Sequence, residues 1–110
     1  MLEPPGLRFI RAHVRAKRYR LTTHATTVRL ERSITIPALE RALLTGEIIE
    51  RYPHDRPYPS CLVFGWLASG DPLHVVCSRG NIEPALRIVT LYEPEDALWG
   101  SDYKTRKVRK

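Results

Sequence analysis

Apolar residues along this chain keep two spacings. Through Gly46 they fall three and four apart, and from Glu47 onward they alternate or run together in short stretches. From Leu7 to Arg18, Leu7, Ile10 and Val14 form one stripe, with Arg8, Arg11, Arg15 and Arg18 beside it. That predicts an amphipathic helix opened by Pro4-Pro5-Gly6. Tyr19–Thr22 reads as a short strand or an extended lead-in. Thr23 is then placed to cap a helix over His24–Arg32 that buries Ala25 and Val28, with Leu30 a further candidate, and Ser33 ends it. Thr35 caps a third helix, with Pro37 in its first turn, Ile36, Leu39, Leu43 and Leu44 on its apolar face, and Gly46 as C-cap.

The remainder predicts strands. Glu47–Tyr52 is the first, with Ile48, Glu50 and Tyr52 on one side and Ile49 and Arg51 on the other. Pro53, Pro57 and Pro59 stiffen the loop that follows. Ser60–Pro94 holds most of the apolar mass as three consecutive strands: Cys61–Leu67, Leu73–Ser78 and Leu86–Tyr92. Turns at Ser69–Pro72 and Arg79–Asn81 separate them. Short turns between sequential strands imply an antiparallel meander. The expected architecture is α+β, with the N-terminal helices on one face of a four-stranded antiparallel sheet and the other face partly open. With a hairpin centred near Ser69, Cys61, Val63, Gly65, Leu67, Leu73, Val75 and Cys77 share the helix face. Leu62, Phe64, Trp66, His74, Val76 and Ser78 share the other. Burial statistics place Phe64 and Trp66 in a core, although either ring is also a platform for a base.

Length and charge refine this picture. The 110 residues suffice for one domain with its own core, divided into a basic helix (1–18), an α+β core (19–100) and a basic tail (101–110). The net charge of +6 resides in the two ends: +5 over residues 1–20, −3 over 21–100 and +4 over 101–110. Basic ends suit a polyanion such as RNA or an acidic protein segment, and equally suit plain solvation. Cys61 and Cys77 are too few for a disulfide framework and read as buried free thiols of a reducing, cytoplasmic setting. No apolar run is long enough for a membrane span, so no membrane partner is expected.

Most catalytic motifs are missing. The four histidines and two cysteines show no HxxxH, HExxH or CxxC spacing, so neither a metal nor another cofactor is expected. There is no GxSxG and no glycine-rich phosphate loop. His74 stands out within a strand, either as a half-buried structural histidine or as a general acid or base at the open sheet face.

Several segments resemble domain-of-unknown-function family 4258: Thr23-His24-Ala25, Glu31-Arg32-Ser33-Ile34, Gly46–Glu50, Tyr52-Pro53, Pro59–Leu62, Pro72–Val76 and Ile88–Pro94. They occur in order over about residues 19–100, and Ser33 stands where that family usually has glycine. The family in turn looks like a distant relative of BrnT- and RelE-type ribonuclease toxins. BrnT-like chains end their last strand in Ser-Ala-Arg; here Thr90-Leu91-Tyr92 puts Tyr92 in the arginine's place. The resemblance implies a toxin of a toxin–antitoxin pair, a metal-independent endoribonuclease held by a cognate antitoxin, one candidate being a zinc-finger type. A non-catalytic RNA- or protein-binding module of the same fold is the alternative, and a homodimer through the open sheet face or the exposed first strand is a third arrangement. The chemistry needs proton transfer and stabilisation of a phosphorane dianion. The candidate set gives His74 the acid/base role, His24 support or a second such role, and Tyr92 donation or stacking. Arg32 and Arg87 bind phosphate, with Arg29 and Arg79 as further RNA-binding candidates. His74 and Tyr92 would then open onto one pocket, with Arg32 or Arg87 at its wall.

Overall fold

In a computed structural model, which describes residues 2–107, the helices are α1 (Leu7–Arg15), α2 (Thr23–Glu31) and α3 (Ile36–Thr45). The strands are β1 (Tyr19–Leu21), β2 (Glu47–Tyr52), β3 (Ser60–Trp66), β4 (Pro72–Arg79) and β5 (Leu86–Tyr92). They form one five-stranded sheet in the order β1-β5-β4-β3-β2. The β2–β5 part is the expected antiparallel meander. The sheet is mixed rather than wholly antiparallel, because Tyr19–Leu21 joins the far edge parallel to Leu86–Ile88. Among the described residues no helix is long and apolar enough to cross a membrane.

Local chemistry sets the helix ends. Thr22, not Thr23, caps α2: its hydroxyl oxygen accepts from the Ala25 N–H at 3.1 Å and donates to the Val89 carbonyl at 2.7 Å. One side chain thus closes the helix and ties it to β5. Leu30, a candidate for burial, faces solvent. Thr35 caps α3 as expected, accepting from Ala38 N–H at 3.1 Å. The first helix stops at Arg15 rather than Arg18, because Lys17 turns left-handed (φ 59°) and the Arg18 N–H returns to the His13 carbonyl.

Helix α2 ends in the same motif. Ser33 N–H bonds Leu30 O at 3.2 Å, Ile34 N–H bonds Arg29 O at 2.9 Å, and Ser33 takes φ 56°. A side chain at that φ is strained, whereas glycine adopts it freely. Ser33→Gly is therefore expected to raise stability by about 0.5–1 kcal/mol. That is the relieved strain less glycine's extra freedom in the unfolded chain. The urea midpoint should rise with an unchanged denaturant slope.

The core lies between helices and sheet. Ile10, Val14, Ala25, Ile34, Leu39, Ala42 and Leu43 pack on Cys61, Val63, Leu73, Val75, Cys77, Leu86, Ile88 and Leu91. Cys61 sits opposite Cys77, and both are buried free thiols. Burial pushes the Cys61 thiol up to about 12 and raises that of Cys77 as well. Helix α3 approaches β3 so closely that a Cβ on Gly65 would lie 2.5 Å from the Ala42 carbonyl oxygen, and one on Gly46 would lie 2.6 Å from it. Two glycines therefore set the spacing of the layers.

The face division holds on β3 and β4, where Phe64 pairs with His74 and Val63 with Val75. It fails on β2. A bulge between Ile48 and Glu50 leaves Ile49 unmatched and turns Ile48 toward the helix core, away from Glu50 and Tyr52. The second face is also less open than expected. Trp99 is 2% exposed, and Tyr103 and Arg106 follow it back over Phe64, Trp66 and His74. Asp102 shapes the return, accepting from Lys104 N–H, Thr105 N–H and the Thr105 hydroxyl. Trp99 and Arg106 then form a bridge. So 101–107 is a folded cover rather than a free basic tail, and 108–110 lie outside the described residues.

Candidate functional site

His74 and Tyr92 do meet. They are register partners on β4 and β5, and the Tyr92 hydroxyl lies 3.3 Å from His74 Nδ1. They do not open onto a pocket, because His74 is fully buried. The cause is the C-terminal cover and not the helices. The Trp99 ring stands at 88° to the imidazole with centroids 4.5 Å apart, and the Tyr103 carbonyl lies 2.7 Å from Nε2. A carbonyl only accepts, so Nε2 carries the proton and Nδ1 accepts from Tyr92. The neutral ring has both nitrogens satisfied.

Around this pair sits a polar cluster on the same face. Arg106 grips Glu50 with two guanidinium nitrogens, Nε at 2.9 Å and Nη2 at 3.1 Å, and the Tyr52 hydroxyl donates to the same carboxylate. Lys104 pairs with Glu47 at 3.2 Å. Two cations of the expected basic tail are thereby spent on acids of β2. Burial lowers the pKa of His74. Burial acts to raise that of Glu50, but the hydrogen bonds from Arg106 and Tyr52 prevail and hold it below the ordinary carboxylate value. Burial also raises the Tyr92 hydroxyl, which stays protonated.

Both shifts make the fold sensitive to acid. The unfolded chain protonates its histidine near 6.5 while buried His74 stays neutral, so His74's contribution is whole above that pH and is lost as pH falls below it. Glu50 contributes fully above 4.5 and loses its contribution as pH drops further. Urea midpoints measured against pH should fall in two stages, and His74→Gln should remove the upper one.

The candidate arginines separate. Arg29 donates to the Ile34 carbonyl at 3.0 Å and holds the α2–α3 turn. Arg79 lies over the Phe9 ring at 4.3 Å, on the helix side of the sheet. Arg32 caps α2 and lines a shallow groove with Thr35, Leu67, Asp71 and Glu93, apart from His74. Neither Arg32 nor Arg87 forms a wall around His74 and Tyr92, because the cover fills that place.

Arg87 belongs to another part of the same face, beyond the cover. It pairs with Ser78 on β4 and with Arg20 on β1, and its guanidinium carbon lies 5.4 Å from the centre of the Tyr58 ring. Arg20, Tyr58 and Arg87 line a pocket of about 260 Å³ with Pro57, Gly80, Ile82 and Pro84. Thr90 pairs with Val76, so it shares this face, and His24 Nε2 reaches its hydroxyl at 2.9 Å. His24 is exposed. It gets there because Thr22 fixes the start of α2 against β5. Arg20 and Tyr58 escape sequence reasoning. The first depends on the unforeseen β1–β5 pairing, and the second sits in a loop whose only sequence signal is its prolines.

A family model described as Domain of unknown function (DUF4258) matches residues 21–93. The chain belongs to this family. The DUF4258 region takes in α2 through β5, and so His24, Tyr58, His74, Arg87 and Tyr92, while Arg20, Trp99 and Arg106 fall outside it. No curated protein and no solved structure matches the chain. Among the described residues, no three His, Cys, Asp or Glu side chains gather in a way that could hold a metal ion.

Proposed function

We propose that this DUF4258 protein binds RNA on the uncovered part of its sheet face, at the β1–β5 edge, and cleaves it there without a metal. The observation that carries the reading is the shared face itself. Arg20 and Arg87 lie side by side across the parallel strand pair, and exposed His24 is fixed to Thr90 on the same side. Adjacent guanidinium groups suit the oxygens of a phosphodiester. A neutral imidazole can accept the proton of the adjoining 2′-OH. The 2′ oxygen then attacks phosphorus, the bond to the 5′ oxygen breaks, and that oxygen takes its proton from solvent. The products are a 2′,3′-cyclic phosphate and a 5′-hydroxyl end. His74 and Tyr92 act here by holding β4, β5 and the cover together. As a toxin, the protein would pair with an acidic antitoxin segment, for which exposed Arg8 and Arg15 on α1 offer charge.

Binding without cleavage is the second reading, favoured by the burial of His74, which takes one of the two proposed histidines off the surface. Incubating labelled single-stranded RNA with the protein at low salt and in the presence of a chelator separates them. Cleavage is expected for the wild type, with His24→Ala slower by about 10²–10⁴-fold and binding little changed. Arg20→Ala and Arg87→Ala should each weaken binding and lower its salt slope by about one. RNA left intact by the wild type means the nuclease reading is wrong; no salt-dependent binding means the RNA reading is wrong as well.

A further inference from the structure

The pocket beside Arg87 has a division of chemistry that RNA binding in general does not require. Two of its lining residues are cations, Arg20 and Arg87, on register-paired positions of neighbouring strands. Among the described residues neither forms a salt bridge, although Lys17, Arg18, Lys104 and Arg106 do. The nearby acid Glu83 is already engaged by Arg18 at 2.8 Å and faces His13 at 3.6 Å. Tyr58, lying against the bare backbone of Gly80, holds the Arg87 guanidinium over its ring. Ile82, 73% exposed, lines the same pocket with Pro84. A large, exposed aliphatic side chain lining the same pocket as two cations without a salt-bridge partner among the described residues fits a ligand with one anionic end and one apolar end.

We propose that this pocket is a mononucleotide subsite, with a phosphate group between Arg20 and Arg87 and the attached base against Ile82. The choice of a nucleotide over other organic phosphates rests on the RNA reading above. The subsite fixes where one nucleotide of the strand sits relative to His24 and gives the protein affinity for single nucleotides.

Calorimetric titration of the full chain at low salt with adenosine 5′-monophosphate, adenosine and inorganic phosphate tests the assignment. The monophosphate should bind at least about tenfold more tightly than either fragment. Arg20→Ala, an exposed change that leaves the core untouched, should weaken it by about tenfold or more, as should Arg87→Ala. Ile82→Ser should weaken the monophosphate and leave inorganic phosphate unchanged, and Arg41→Ala, an exposed position on α3, should change neither. The subsite is overturned if the monophosphate binds no better than inorganic phosphate, or if Arg20→Ala leaves its affinity intact. RNA cleavage without monophosphate binding overturns the subsite alone. Monophosphate binding without RNA cleavage supports the subsite and removes the nuclease reading.

Discussion

Trp99→Ala is expected to cost about 3–5 kcal/mol of stability, the range for deleting a large buried aromatic. Trp99 lies outside the helix-facing core, yet it is 2% exposed and seals the second sheet face. Its ring meets the His74 imidazole edge to face and also contacts the Arg106 guanidinium, whose carbon lies 4.6 Å from the ring centre. Removing it takes away the lid of His74 and the surface on which Arg106 rests while gripping Glu50. The loss should therefore exceed that of Arg106→Ala, because the exposed ion pair is screened by solvent. A second readout separates this account from general unfolding. In a folded Trp99→Ala protein the His74 imidazole should titrate closer to 6.5 than in the wild type, where burial holds it lower. Proton NMR of the ring follows that directly. A Trp99→Ala protein as stable as the wild type would mean that the C-terminal segment does not pack on the sheet.

Gly65→Ala is expected to cost about 3 kcal/mol, for a different reason. The added methyl would lie 2.5 Å from the Ala42 carbonyl oxygen and 3.0 Å from the Ala42 Cα. These are backbone atoms in the middle of α3, so no rotamer change relieves the contact and the whole helix must lift from β3. That would loosen Leu39 and Leu43, both fully buried. Gly6→Ala makes a suitable control, since nothing lies within 4 Å of its Cβ position and its φ of −93° is ordinary. Thermal unfolding of the two variants side by side should show a large drop for one and almost none for the other.

The features legible in the sequence were those set by local rules. Thr35 before a proline and an apolar stripe marks a helix start whatever the rest of the chain does. Cys61, Val63, Leu73, Val75 and Cys77 fall on one face because alternation along strands and a short turn leave little choice. The features that were missed arise from partners distant in sequence. Tyr19–Leu21 has three residues, too few for a period, and becomes a strand only by pairing with β5. In Glu47–Tyr52 alternation is regular as written, and only the pairing with β3 shows the bulge that splits Ile48 from Glu50. The segment after Trp99 looks like a solvated basic tail because its order comes from the Asp102 turn and from Glu47 and Glu50, more than fifty residues away.

The same distinction governs the site. The meeting of His74 and Tyr92 follows from strand pairing, which the sequence constrains. Their burial follows from the cover, which it does not. Arg20 beside Arg87 is likewise a product of the β1–β5 pairing. The proposed RNA surface accordingly lies at the edge of the sheet and not in its middle, because His24, Arg20 and Arg87 remain within reach of solvent there.

Cleavage of single-stranded RNA by wild type, His24→Ala and His74→Gln, with each protein shown to be folded under the assay conditions, tests this relocation most directly. The expected result is cleavage by the wild type, near-complete loss in His24→Ala without loss of stability, and retained cleavage by folded His74→Gln despite a lower urea midpoint. Cleavage by His24→Ala at the wild-type rate, or its loss in a fully folded His74→Gln protein, would contradict the account.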